Sequence, residues 1–496
     1  MLNIKKIQDT MRNDAGVNGD AQTMEQIAWI LFLKLYDYYE SEWCADKEMQ
    51  GESYTSIIPQ ELRWGAWAGG SKEKREKAPS GEILLGFVNN QLFPTLKNLN
   101  ITESTPLNQA IVRKVFSDLN NYMKDGYLLR DVINEIDTSI IIHNKKDFKE
   151  LCKIYEGFLK TLQSAGNAGE FYTPRAVTDF IIKLLNPSIG DKVADLACGT
   201  GGFLISAYHH LDSQCDNVEK RKILESSFYG IEKKSLPYLL CATNFLINGI
   251  ENPNLTHGNA FEFSNFEELA FKEKFDCIVM NPPYGGSEKT NDIKNFPQEF
   301  KSSETADLFM ALIMQRLSNK GKAAVVLPDG FLFGTDNAKI NLKKRLLEEF
   351  NLHLIVRLPA SVFAPYTGIT TNILFFDKSP QGTKHTWFYR LDMPEGIKSF
   401  GKTKAMKLEH FAPFEQWDKN KIAIEEAQGN FKAQVYSKKE LEARNYNFDL
   451  CGFVSEEEEI LEPFALIEQI KSERERLNTT LNSLMSQISD IIKESE

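Results

Sequence analysis

The first third of the chain carries apolar residues at helical spacing. Met24, Ile27, Ile30, Leu31 and Leu35 fall three and four apart, and Ile111, Val115 and Leu119 repeat the pattern, so residues 1–164 predict a helical N-terminal domain. A polar stretch from Gly69 to Gly81 interrupts it and predicts an exposed loop, with a basic contact to a polyanion as the less favoured reading. Over residues 165–378 the period changes to short β-rich runs, KVADLA, SFYGIE, FDCIVMN, GKAAVVLP, LHLIVRLP and TNILFFD, alternating with helical stretches. This alternation predicts an α/β, Rossmann-like doubly wound sheet with any ligand at the carboxyl ends of its strands. Residues 379–455 read as an irregular C-terminal extension, and 456–496 as a terminal helix. Along it Ile467, Ile470, Arg474, Leu477, Leu481, Leu484, Ile488 and Ile491 alternate steps of three and four. That is a heptad seam with one arginine inside it, either capping its own domain or forming a coiled-coil-like arm for a partner.

Composition adds exclusions. The 496 residues are 42% hydrophobic and 26% charged, ordinary for a globular chain of two to four domains. No apolar run approaches the roughly 20 residues of a membrane span, and no signal peptide is evident, so no membrane association is expected. Seven cysteines without a C-x-x-C pair argue against a disulfide framework or a zinc site, so no metal is expected and the setting reads as a reducing cytoplasm. The net charge of −11 is unfavourable for binding a polyanion unaided.

Chemistry-bearing residues lie where the predicted strands end. Asp195 closes KVADLA and is followed by the turn containing Cys198, Gly199, Thr200, Gly201 and Gly202, where glycines let a nucleoside approach the backbone. Leu204 occupies the place of the third glycine of a dinucleotide fingerprint, and with the acidic Asp195 this favours S-adenosylmethionine over a nicotinamide cofactor. Glu232 ends SFYGIE and can accept ribose hydroxyls, although it lies further along than the roughly 20 residues of the dinucleotide pattern. Asn259, with backbone groups around Ala260, is placed to read an adenine. The decisive element is Asn281-Pro282-Pro283-Tyr284, directly after the apolar run FDCIVM. The two prolines end the strand and stiffen the corner. The side-chain oxygen of Asn281 and the carbonyl of Pro282 can accept both hydrogens of an amino group on a planar ring, aiming its lone pair at a methyl donor, while Tyr284 offers a stacking face. No side-chain nucleophile or metal is needed, because orientation and fixed dipoles suffice. A base in a duplex must be flipped out to reach such a corner, and Phe363 is the candidate for the second stacking face.

The segment Gly169-Glu170-Phe171-Tyr172-Thr173-Pro174-Arg175 resembles the N-terminal cofactor motif of adenine amino-methyltransferases. The resemblance implies that Glu170, Phe171, Tyr172, Thr173 and Pro174 belong to the cofactor site, at its methionine end. The motif order, GEFYTPR, then DLACGTGGF, then NPPY, is similar to the gamma arrangement. With VFAPYTGITTNILFF and the helical N-terminal region, the whole chain resembles modification (M, HsdM-type) subunits of type I restriction–modification systems. That resemblance implies N6-adenine methylation of double-stranded DNA, a specificity (S) subunit that chooses the sequence, two M per S, and a restriction (R) subunit in the full complex. The short 379–455 stretch leaves little room for a recognition domain of its own. A stand-alone gamma enzyme is the alternative. Protein-glutamine or RNA-guanine methylation would leave GEFYTPR and the heptad helix unexplained, and a catalytically silent assembly subunit would not be expected to retain Asn281 and Tyr284.

Overall fold

The computed structural model describes residues 3–142, 145–164, 172–364, 367–401, 404–427, 429–452 and 463–495. Glu170 and Phe171 therefore lie outside the described residues. The chain divides into two units, Met1–Gly452 and Phe453–Glu496.

Ten strands build one sheet: β1 (Val193–Asp195), β2 (Phe228–Glu232), β3 (Asn254–His257), β4 (Phe275–Met280), β5 (Leu317–Pro328), β6 (Phe350–Arg357), β7 (Thr371–Lys378), β8 (His385–Arg390), β9 (Ile424–Ala427) and β10 (Asn430–Ser437). Their order is β3-β2-β1-β4-β5-β7-β6-β8-β10-β9. The strands from β3 to β5 pair in parallel, and β7 runs antiparallel between β5 and β6. Alternation along the strands sends Val193, Cys277, Val279, Ala324 and Val326 to one face and Ala194, Ile278, Met280, Ala323 and Val325 to the other. The sheet is thus buried on both sides, which is why its central strands read as continuous apolar runs. The chain leaves β1 toward β2 and β3, then returns to β4 on the other side. This reversal opens a crevice at the carboxyl ends of β1 and β4.

All six predicted runs are strands. The extension is not irregular, however: β8, β9 and β10 continue the same sheet, β8 parallel to β6 and antiparallel to β10. β10 is an edge-region strand in which Ala433 alone is fully buried, so its alternation is too weak to read. β3 was also not separable, having one buried residue in four.

The N-terminal helices are present but share a core with the sheet. The helix Gly19–Met49 is buried all round from Ala28 to Leu33, as a central rather than a surface helix must be. It lies against the apolar helix Ser235–Ile247. Tyr39 donates to the Leu246 carbonyl at 2.7 Å and Trp43 to Glu251 at 2.6 Å. The expected loop at 69–81 contains a short helix, Lys72–Glu76, capped by Ser71. Arg75 ties it to the buried Asp137 at 3.1 Å, and the lysines Lys72 and Lys77 pair with Glu76 and Glu73. In the second unit, Pro463–Ser495 is one helix. Among the described residues no helix is long and apolar enough to cross a membrane.

Candidate active site

Two cavities meet at the carboxyl ends of β1 and β4. The larger, about 330 Å³, is lined by Leu196, Pro237 and Phe261 as apolar walls and by Glu232, Asn259 and Asn281 as polar groups. Its size and mixed lining suit a nucleoside. The smaller, about 20 Å³, is bounded by Thr173, Asp195, Cys198, Thr200, Gly202 and again Asn281. Asn281 is the polar side chain common to both.

Local chemistry explains the turn between them. The amide of Cys198 donates to Ile231 at 2.9 Å and the amide of Gly201 to Cys198 at 2.7 Å. Gly201 has φ +80°, and a Cβ there would stand 2.8 Å from the Cys241 sulfur, so both conformation and space demand glycine. Asn244 donates to the Thr200 carbonyl at 2.9 Å, fixing the turn to the helix Ser235–Ile247. Gly202 opens the helix Gly202–Asp212, and Leu204 is fully buried on it.

Glu232 accepts from the amides of Gly199 at 2.9 Å and Lys234 at 2.8 Å, which fixes its carboxylate at the cavity wall. Asn259 bonds the Phe261 amide at 3.1 Å, and Asn259 and Ala260 both line the larger cavity. Asp195 is 2% exposed and accepts from the Ala197 amide at 3.2 Å. Burial, with a smaller push from Glu232, raises its carboxyl from 3.8 to about 8.

The proline corner holds Asn281 by both ends. Its Nδ2 donates to the Thr173 hydroxyl at 3.0 Å, and its Oδ1 accepts from the Tyr284 hydroxyl. Pro282 is buried, while Pro283 forms part of the cavity wall. Tyr172 and Thr173 are buried, and Pro174 caps the helix Arg175–Leu185. The structure therefore brings Thr173, Asp195, the glycine turn, Glu232, Asn259 and Asn281 together.

Two expected stacking faces are placed differently. Tyr284 is half-buried with its ring packed against the core and its hydroxyl on Asn281, so it lies beside the larger cavity rather than in its lining. Phe363 is 2% exposed: turns from Pro359 to Ala364 carry its ring into the core, away from the cavity. Sequence reasoning also missed Glu156, on the helix Lys145–Ser164. Its carboxylate accepts from Arg175 at 2.9 Å and from Tyr172, while Arg175 also reaches the Gly202 carbonyl at 2.8 Å. Nothing in its sequence neighbourhood signals this role. Burial opposes its ionisation, but Arg175 and these hydrogen bonds outweigh burial and hold it below its ordinary value.

A crevice at the sheet's topological reversal and a rigid Asn-Pro-Pro-Tyr corner with its asparagine oriented by hydrogen bonds define an amino-methyltransferase. Residues 146–461 match the N-6 DNA methylase family and residues 3–136 the HsdM N-terminal domain. The type I restriction enzyme EcoEI methylase subunit of Escherichia coli is 45% identical over 484 residues, 97% of this chain and 96% of that one. The modification subunit of a putative type I restriction enzyme from Vibrio vulnificus superposes with a TM-score of 0.76 at 38% identity, covering 88% of this chain and 92% of that one. A chain from a structure of type I restriction–modification complex assembly superposes with 0.77 at 32% identity, covering 99% and 98%. The chain belongs to the N-6 DNA methylase family, as a type I methylase subunit, and its enzymatic class is adenine-specific DNA methyltransferase.

Proposed function

We propose that the two cavities hold S-adenosylmethionine, its adenosine between Pro237 and Phe261 with Glu232 on the ribose, and its methionine end at Thr173 and Asp195 beside the glycine turn. The residues present fit this group: an apolar slot for a purine, a carboxylate at its edge, and a second, buried carboxyl toward a cation. The cofactor supplies a sulfonium-bound methyl as electrophile. Asn281 Oδ1 and the Pro282 carbonyl accept the amino hydrogens of a flipped adenine and direct its nitrogen lone pair at that carbon. With the cofactor bound, these two acceptors would hold the amino nitrogen in line with its methyl group, and the surplus amino proton would pass to solvent. For the base to bind, the Tyr284 hydroxyl yields the Asn281 oxygen, which frees the ring to move toward the base. Phe363 contributes a second face only if its turn opens.

The observation that carries this reading is the position of Asn281, shared by both cavities and held at both ends of its amide. Asn281→Ala removes the acceptor and is expected to lower the methylation rate at least 100-fold, with cofactor affinity by calorimetry within a few-fold of the parent. Retained turnover would remove the mechanism. The same reading assigns choice of DNA sequence to a specificity subunit, with two copies of this chain on each, and cleavage to a restriction subunit. The acidic charge, and the use of residues 385–437 as strands of the catalytic sheet, support it.

A further inference from the structure

Resting on the reading that the target adenine arrives at Asn281, we infer that Phe333 is a DNA-contacting residue that stacks on the bases uncovered in the duplex when that adenine swings out. Flipping costs the stacking of the extruded base and bares the flat faces of its neighbours. An apolar side chain offered to those faces recovers part of that cost, provided that it is held rigid on the same side of the molecule as the pocket. Phe333 meets both conditions.

Its position follows from the sheet. β5 lies beside β4 in parallel, with Val325 opposite Met280, so the chain leaves β5 at the edge where Asn281 stands. The Tyr284 hydroxyl lies 3.5 Å from the Val326 carbonyl, joining the proline corner to the end of β5. Beyond Pro328 comes one short helix, Asp329–Phe333, with Phe333 as its last residue. Strand spacing and helical rise place the Phe333 backbone within roughly 20 Å of Asn281. That is shorter than one turn of a bound duplex, roughly 34 Å. Phe271, the other exposed phenylalanine among the described residues, directly precedes β4 and so lies at the opposite edge of the sheet.

The backbone of this turn is fixed while the ring is left uncovered. Phe331 and Leu332 are each 1% exposed, whereas Phe333 is 53% exposed. The side-chain nitrogen of the buried Lys343 donates to the carbonyls flanking Phe333, Leu332 at 2.9 Å and Gly334 at 2.8 Å. The Phe448 amide also donates to Leu332, at 3.0 Å, and the Gly334 amide to Gly330, at 3.0 Å. Gly334 makes this closure possible, since a Cβ there would stand 2.6 Å from the Gly330 oxygen. A side chain whose backbone is clamped on both flanks has little freedom left to lose when it stacks.

The test uses the chain co-expressed with its specificity subunit and a duplex carrying the site mapped from methylated adenines of the host genome. Single-turnover methyl transfer at saturating cofactor and DNA is measured on the matched duplex and on one with a mismatched base opposite the target adenine, where less stacking and pairing remain to be broken. On the matched duplex Phe333→Ala is expected to lower the rate about tenfold and Phe333→Trp to keep it within about threefold of the parent. On the mismatched duplex Phe333→Ala is expected within about twofold of the parent on that same duplex. A Phe333→Ala rate within twofold on the matched duplex overturns the inference. So does a loss that persists undiminished on the mismatched duplex or that tryptophan does not restore, since Phe333 then serves the fold or the chemical step. Loss of the complex with the specificity subunit on size-exclusion chromatography overturns it too, assigning this face to a protein. Asn281→Ala run alongside is expected to be inactive on both duplexes. If it retains turnover, the acceptor reading fails, while the comparison of the two duplexes still decides the role of Phe333.

Discussion

At the scale of single residues, the buried carboxyl of Asp195 makes cofactor binding sensitive to pH. Its value of about 8 means that it is mostly protonated at neutral pH, whereas a partner for an ammonium group has to be ionised. Binding a cation should therefore expel the proton. Affinity for S-adenosylmethionine is expected to rise nearly tenfold per pH unit up to about pH 8 and to level off above it. Titration calorimetry near pH 7 in buffers of different ionisation heat should detect release of close to one proton, and Asp195→Asn should flatten the profile. A pH-independent affinity between 6 and 8 would show that Asp195 does not meet the ligand's charge. The sign for the unliganded fold is opposite. Because the folded value exceeds the unfolded one, this group's contribution to stability is complete below about pH 4 and is lost as pH rises through about 8. Asn281, Asp195 and Glu232 were legible because each closes an apolar run, where an α/β sheet places ligands. The link from Thr173 to Asn281 was not, since no local pattern marks a contact 108 residues apart. The burial of Phe363 was not legible for a related reason: an aromatic next to a turn has the same signature whether its ring faces a cleft or the core.

At the scale of elements, the helix Lys145–Ser164 joins the helical region to the catalytic sheet. Tyr155 on it donates to Leu240 at 2.9 Å, and Glu156 one residue later grips Arg175 and Tyr172. One helix thus places both a core contact and the clamp on the cofactor motif, so damage to the clamp should be felt at the site as well as in stability. Replacing Glu156 by Gln keeps the shape but leaves the largely buried Arg175 facing a neutral group. The expected cost is about 1–3 kcal/mol, seen as a lower melting midpoint together with weaker cofactor binding. An unchanged midpoint and affinity would show that the Arg175 contacts to Gly202 and Ser206 suffice without it. The strands of this region show where sequence pattern loses its force. β1, β4 and β5 are buried on both faces and stand out, whereas β10 is half-exposed along most of its length and reads as polar coil. A strand next to the sheet's edge, paired on both sides but thinly covered, spends its side chains on solvent as well as core, which removes the period-two signal.

At the scale of the whole molecule, the second unit consists, in its described part, of the helix Pro463–Ser495, and several of its apolar residues face solvent. Ile467 is 48% exposed, Leu477 64%, Leu481 56%, Leu484 51% and Ile488 57%. A helix that buried this seam within its own unit would show these positions covered. The cost of leaving five large apolar side chains in water is on the order of 1.5–3 kcal/mol each, an amount that a partner helix with matching heptads recovers on docking. The first unit already contains the sheet, both cavities and the full set of described site residues, so the proposed docking arm is expected to be dispensable for cofactor binding and required for assembly. Deleting the chain from Leu466 onward is accordingly expected to leave the melting midpoint and cofactor affinity of the remaining protein close to those of the parent, while association with the specificity subunit weakens by at least tenfold. Size-exclusion chromatography of the co-expressed subunits distinguishes the outcomes: loss of the complex peak with intact monomer supports the docking arm, and an unchanged complex removes it. Because sequence choice is assigned to that partner, the truncated chain should also lose site-specific methylation in cells although Asn281 and its surroundings are untouched.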